Sequence, residues 1–305
     1  MDTCRNWGFV TAEEQELLGS VKIAVAGAGG DGGLVAEHLT RLGVRRFAIA
    51  DPERFGAENV NRQAGCDATT LGRNKAEVTA EVIRRIAPDA EVDVYPGGIS
   101  TECVREFVLG SAVVVDETEY TRPHLSLMLA RAARPEGIPV VSGLNVGFGA
   151  MVTCFLPGSM TLERYLGLPP SITIEDAARV DLPLRRWVVR LPAYADERGL
   201  RVVASGRAAA PSVAPGVALA AGLVVTEVFN LLGRRRPPTV APRTLVFDAL
   251  ERRTRVVRFP TVSYASSLAR LVLRSRLGLN RRVTPPRTIA PARGPRIRQA
   301  SAPAR

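Results

Sequence analysis

The chain has 305 residues, 46% of them hydrophobic and 23% charged, which excludes disorder throughout and suffices for one large domain or two ordinary ones. Its net charge of +11 is concentrated at one end, because residues 274–305 hold nine arginines and no acid and leave +2 for everything before them. The charge therefore describes an Arg/Pro-rich tail and gives no argument for a nucleic-acid-binding body.

At the N-terminus, acid and polar groups stand where a secretory leader needs an apolar stretch, so a cytoplasmic location is expected. Thr11 followed by Glu14 predicts a capping box opening a helix over residues 12–18. The apolar run Val21 to Ala26 ends in glycines, as a central parallel strand feeding a helix does, and that helix is predicted from about Gly32 to Arg41. A second strand, Arg46 to Ala50, ends at Asp51, and a helix follows from about Gly72 to Ile86, closed by Pro88. Strand-like Glu91 to Tyr95, helix-like Glu102 to Leu109, strand-like Ala112 to Val115, helix-like His124 to Arg134 and strand-like Ile138 to Val141 continue the alternation. The rhythm predicts an α/β fold, a doubly wound Rossmann-like sheet with a parallel core.

After Gly149 the pattern changes. Met151 to Phe155 reads as a strand, and residues 157–211 read as a long irregular excursion. The apolar stretch from Val213 to Leu232 is long enough to span a bilayer, but Pro215, Gly216, Glu227 and Asn230 interrupt it, so a buried helix and no membrane partner are expected. Thr244 to Phe247 and Thr254 to Phe259 look like a closing antiparallel hairpin. The folded domain is expected to cover residues 1–260, with an amphipathic segment near 266–277 and the basic tail making up 261–305. No aromatic residue follows Tyr264, so the tail offers charge without base stacking, and an acidic protein surface is a more natural target for it than nucleic acid. The four cysteines, Cys4, Cys66, Cys103 and Cys154, form no C-x-x-C and no ligand spacing with His38 or His124, so neither zinc nor a disulfide framework is expected.

Gly27-Ala28-Gly29-Gly30-Asp31-Gly32 lies between the first strand and the first long helix, where glycines allow a tight turn and close approach of backbone N–H groups to phosphate. Asp51, 24 residues beyond Gly27, is placed at a strand tip to accept hydrogen bonds from ribose hydroxyls. Together they indicate an adenine nucleotide. The segment Asn59-Val60-Asn61-Arg62-Gln63, followed by Gly72-Arg73-Asn74-Lys75-Ala76, has no counterpart in a dehydrogenase.

With these stretches the chain resembles the ThiF/MoeB/HesA family, the bacterial relatives of ubiquitin-activating enzymes, whose pattern is G-x-G-G-x-G, an aspartate, N-x-x-R-Q and G-x-x-K-A. The resemblance implies binding of Mg-ATP and transfer of AMP to the C-terminal carboxylate of a small ubiquitin-like carrier protein or a precursor peptide, with release of pyrophosphate. Arg62 and Lys75 match the family's phosphate-binding pair, Asn59 its asparagine beside the nucleotide, and Gln63 completes the motif. Glu119, in Asp116-Glu117-Thr118-Glu119-Tyr120, occupies the position of a magnesium-binding aspartate, and Asp31 replaces an apolar residue in the glycine loop. Arg5 is the candidate for an arginine that reaches across a homodimer to the partner's ATP. No cysteine matches the family's thioester position, so the chemistry expected stops at the adenylate or passes it to another molecule. Two alternatives stay open: a catalytically degenerate relative that binds nucleotide or a partner, supported by Asp31 and Glu119, and an NAD-dependent oxidoreductase, which leaves Asn59, Arg62 and Lys75 unexplained.

Overall fold

The computed structural model describes residues 2–204 and 210–258, with the isolated positions 269, 272 and 273. Strands β1 (Lys22–Ala26), β2 (Arg46–Ala50), β3 (Glu91–Tyr95), β4 (Ser111–Asp116), β5 (Val140–Val146), β6 (Gly149–Phe155), β7 (Arg243–Asp248) and β8 (Arg253–Arg258) form one sheet. Their spatial order is β3-β2-β1-β4-β5-β6-β7-β8, parallel from β3 through β5 and antiparallel from β5 to β8. The Rossmann-like parallel core with antiparallel C-terminal strands is thus as the sequence pattern predicts. The amphipathic segment and tail expected beyond Pro260 lie outside the described residues apart from the three isolated positions.

Period-two alternation decides which helices cover which face. On one face, Ile23 and Val25 of β1, Phe47 and Ile49 of β2 and Val113 and Val115 of β4 are buried. They pack with Val35 and Leu39 of α2 (Gly30–Leu42) and Ile83 of α3 (Lys75–Ile86), together with Leu18 of α1 (Ala12–Ser20). On the other face the intervening Ala24, Ala26, Ala48 and Ala50 leave room for Phe107 of α4 (Val104–Val108) and for Leu127 and Leu129 of α5 (Pro123–Ala133).

The excursion is more ordered than its sequence suggests. It contains α6 (Leu162–Leu166), α7 (Ile174–Ala177) and α8 (Glu197–Ala204), too short for a helical period to be seen. Thr161 and Thr173 cap the first two, accepting hydrogen bonds from Arg164 N at 3.3 Å and Asp176 N at 3.0 Å. Tyr165 of α6 stacks edge-on against Phe155 of β6 at 5.3 Å, and Leu166, Val189 and Leu191 join the same core, so the excursion roofs one face of the antiparallel half-sheet. The apolar helix α9 (Ala214–Gly233) is long and apolar enough to cross a membrane, yet Val217, Ala220, Ala221, Val224 and Val228 are buried in the structure, the last three in the core on the opposite face. Strand β5 runs on to Val146, beyond the predicted end at Val141, because Ser142, Gly143 and Asn145 gain their ladder partners from β6.

One asparagine holds several loops around the carboxyl edge of the parallel strands. Asn74 caps α3, its Oδ1 accepting from Glu77 N at 3.1 Å, while its Nδ2 donates to the carbonyls of Asp51 at 3.0 Å and Pro96 at 3.1 Å. Losing a cap costs about 1 kcal/mol, and orphaned buried carbonyls add roughly 1–3 kcal/mol. Asn74→Ala should therefore destabilise the domain by about 2–4 kcal/mol in urea unfolding, and Asn74→Ser, which keeps the cap alone, should fall between it and the parent.

Candidate functional site

The connections from β1 and β4 leave in opposite directions, β1 through α2 to β2 and β4 through α5 to β5, and a crevice opens between their carboxyl ends. Two backbone bonds extend the ladder into it: Gly27 N donates to Ala50 O at 2.8 Å and Glu117 N to Ala26 O at 2.8 Å. Gly27 has φ +91°, and a Cβ there would lie 2.2 Å from the Glu117 carbonyl oxygen. A Cβ on Gly32 would lie 1.9 Å from the Gly27 carbonyl oxygen. Only glycine fits at either place.

The crevice is a solvent-open cleft. Of the predicted residues, Gly27, Gly29, Gly30, Gly32, Asp51, Arg62, Gln63, Lys75 and Glu119 line it. Asp51 is buried and accepts from Ala28 N at 2.7 Å and Glu53 N at 2.8 Å, yet burial outweighs these bonds and raises its pKa. Lys75, the first residue of α3, is 4% exposed, and its Nζ donates to Glu53 Oε2 at 2.7 Å. That ammonium holds the Glu53 carboxyl below its ordinary pKa. Arg62 is steadied by bonds from Nη1 to Glu58 O and Asn61 Oδ1, both at 2.9 Å. Gln63 is buried against the glycine loop with its Oε1 lacking a partner, an acceptor that a bound molecule could use.

Asn59 lies behind the cleft wall. Its Oδ1 accepts from Gly56 N at 3.0 Å, and its carbonyl accepts from Arg62 N at 3.1 Å and Gln63 N at 2.9 Å, so it positions its neighbours. Arg5 is exposed on the short 3-10 turn Cys4–Asn6 and does not line the cleft; a single chain cannot place a residue that acts across a dimer. Glu119 has its pKa raised by burial and by the Glu53 carboxylate. It is not a helix-start acid, because α5 begins at Pro123 with no acid in its first turn. A carboxylate of this kind suits a magnesium ion held mainly by substrate phosphates and water, whereas no group of three or more metal-ligating side chains is assembled among the described residues. Buried Cys66 and Cys154 both have their thiol pKa raised by desolvation, the reverse of what a nucleophilic cysteine needs.

Several lining residues carry no motif. Glu53, Glu117, Arg122, Asn145 and Ser212 all face the cleft, and only the fold brings the last two to it. Asp31 is turned toward them: its carboxylate accepts from Asn145 N at 3.2 Å and Asn145 Nδ2 at 2.8 Å, and Asn145 Oδ1 accepts from Ser212 Oγ at 2.7 Å. Burial pushes the Asp31 carboxyl up to about 6. Glu117 is raised well above the ordinary value, first by burial and then by the charges of Asp31 and Asp116, and its Oε1 has no partner. A raised folded-state pKa means the folded protein holds its proton after the unfolded chain has lost it, so Asp31 subtracts stability as pH rises from about 4 to about 6. Asp31→Asn should gain stability relative to the parent across that window and keep the gain above it, as read by urea midpoints at pH 4.5 and 7.5.

Comparison with known proteins places this arrangement. Residues 2–266 match the ThiF family. The SAMP-activating enzyme E1 of Haloferax volcanii is 33% identical over 149 residues, 48% of this chain and 54% of that protein. The tRNA threonylcarbamoyladenosine dehydratase of Escherichia coli is 32% identical over 133 residues, 43% of this chain and 49% of its own. The sulfur carrier protein adenylyltransferase of Thermus thermophilus is 29% identical over 146 residues, 48% of this chain and 53% of its own. The chain thus spans about half the length of these curated relatives. Among solved structures, E. coli MccB with ATP superposes with a TM-score of 0.61 at 16% identity, over 80% of this chain and 65% of that one, a likeness of fold. With its glycine loop, Asp51, Arg62 and Lys75 gathered on one cleft inside a match that runs nearly the whole described length, the chain belongs to the ThiF family.

Proposed function

We propose that the chain is an ATP-dependent adenylyltransferase that activates a carboxylate as acyl-AMP. The observation that carries this reading is the convergence of Arg62 and Lys75, from separate segments, on the cleft floored by the glycine loop. A carboxylate oxygen forms a bond to the α-phosphorus as the bond from that phosphorus to the bridging oxygen breaks, and pyrophosphate leaves. Charge builds on the phosphoryl oxygens, where fixed cations are most effective. Asp51 would take ribose hydroxyls, backbone N–H groups of the glycine loop would face phosphate, and Glu119 would help hold magnesium. Lys75 is already ion-paired with Glu53, so nucleotide binding must share or replace that partner.

The carboxylate is the C-terminus of a small carrier protein or a peptide, as the carrier-linked names among the relatives suggest. Arg5 acting across a homodimer remains part of this proposal, as does the single adenylating domain over residues 1–260. A second reading has its own support: the buried acids Asp31 and Glu117 beside the loop suit a relative that binds a partner or nucleotide without turnover. The dehydratase relatives raise a third possibility, a carboxylate carried on tRNA.

Pyrophosphate exchange into ATP, measured with candidate proteins, peptides and tRNA, separates these readings. Exchange driven by a protein or peptide is expected; exchange driven by tRNA alone would select the third reading, and nucleotide binding without exchange the second. ATP with magnesium should bind more tightly than NAD in competitive titration, and equal or tighter NAD binding would sink the adenylation reading. Arg62→Ala and Lys75→Ala should each slow adenylation on the order of a hundredfold, the scale of one lost transition-state charge. Cys66→Ala and Cys154→Ala should leave adenylate formation largely intact, and an acyl group trapped on either thiol would overturn that expectation.

A further inference from the structure

Asp31 is an acid in a loop built to face phosphate, and the adenylation chemistry gives it no task. Its side chain is 8% exposed, and it makes no direct ion pair among the described residues. What it meets is the end of a chain of four hydrogen bonds. Asn145 Nδ2 donates to Asp31 Oδ2 at 2.8 Å, Ser212 Oγ to Asn145 Oδ1 at 2.7 Å, Asn61 Nδ2 to the Ser212 carbonyl at 3.2 Å, and Arg62 Nη1 to Asn61 Oδ1 at 2.9 Å.

Every donor in the chain points the same way, from the Arg62 guanidinium toward the Asp31 carboxylate. Each amide therefore turns its N–H end to the acid and its oxygen to the cation, and dipoles aligned in this sense polarise one another. Neither amide can be turned over. A flipped Asn61 would set NH₂ against the guanidinium and oxygen against the Ser212 carbonyl, and a flipped Asn145 would set oxygen against the Asp31 carboxylate.

The links come from separate parts of the fold. Asn61 and Arg62 precede α3, Asn145 lies in β5, and Ser212 precedes α9 and is bridged to Gly147. Asn61 is exposed, where a bond between neighbouring side chains is weak by itself; anchorage on Ser212, 151 residues away, is what fixes its amide. Nη1 of Arg62 is held by Asn61 and by the Glu58 carbonyl, while Nε and Nη2 make no hydrogen bond among the described residues and are left for a ligand in the cleft.

We propose that Asp31 is a positioning residue for Arg62, and that Asn145, Ser212 and Asn61 carry a relayed ion pair which holds the guanidinium with Nη1 toward the protein and its other nitrogens toward the cleft. This rests on the adenylation reading only in taking nucleotide phosphate as what Arg62 meets; the relay itself belongs to the folded chain. An acid in an anion-binding loop thereby acquires a function, since its charge is directed through bonds to a cation that phosphate needs.

At pH 7.5 the Asp31 carboxyl, with its pKa at about 6, is ionised, and the relay has both its charges. Asp31→Asn, Asn61→Ala and the double variant are compared there by urea unfolding, each with and without Ser212→Ala, which removes the middle link and neither charge. Cutting the relay leaves the Asp31 charge without its distant partner, so the gain in folding constant from Asp31→Asn should be about threefold or more larger in the Asn61→Ala protein than in the parent. With Ser212→Ala present that difference should vanish. An equal gain from Asp31→Asn in the parent and in Asn61→Ala overturns the relay, as does a difference that survives Ser212→Ala. Positioning is read from Mg-ATP affinity, which Asn61→Ala should weaken about three- to tenfold where Arg62 is present and leave unchanged in the Arg62→Ala background. An equal loss in both backgrounds, or no loss in either, overturns the positioning role. Failure of the parent chain to bind ATP would count against the adenylation reading, and the unfolding comparison would still decide the relay.

Discussion

The backbone of Glu117 lies so close to the glycine loop that no side chain can come between them. Glu117 N closes onto Ala26 O, and the Glu117 carbonyl fills the place where Gly27 would carry a Cβ. This contact sets the floor of the cleft at the point where the chain paths from β1 and β4 diverge. It also fixes the start of α2, since Gly32 is pressed in turn against the Gly27 carbonyl. A single methyl group at either position would have to push the two strand ends apart, and the pocket between them depends on their staying together.

Around that floor the charges are segregated by origin. Of the cations, Arg62 comes from the segment between β2 and α3 and Lys75 opens α3, braced by Glu58, Asn61 and Glu53. The acids Asp31 and Glu117 come from the loop and from the end of β4, and both sit where burial favours their neutral forms. Asp31 lines the cleft and is held by Asn145, which Ser212 holds in place. Asn145 offsets part of the charge on that carboxylate, and only below about pH 6 is the acid mostly neutral beside the loop. The same chain of bonds ties α2 to β5 and to Ser212, two residues before the start of α9.

The antiparallel half of the sheet extends the site. Strands β5 and β6 carry apolar residues toward α9 on one face and place Ser142 and Thr153 in the wall of a small cavity on the other. The excursion then roofs that face, with Tyr165 and Trp187 supplied by segments that have no strong period of their own.

The sequence by itself determined the parallel core, because apolar runs of strand length alternating with amphipathic segments have few ways to bury both faces, and the glycine loop could be read from local sterics. Arg62 and Lys75 were legible through motif spacing, since short stretches must deliver them to one place. Asn145, Ser212 and Glu117 were not legible, for their roles depend on partners far away in the chain: 114 residues separate Asp31 from Asn145, and 67 separate Asn145 from Ser212. Asn59 shows the converse, a residue marked by its motif whose side chain the fold turns into a loop brace. The helices of the excursion escaped notice because elements of four to eight residues owe their stability to packing more than to propensity. Local sterics and periodicity are written residue by residue, whereas burial of a charge and the pairing of a donor exist only once distant segments have met.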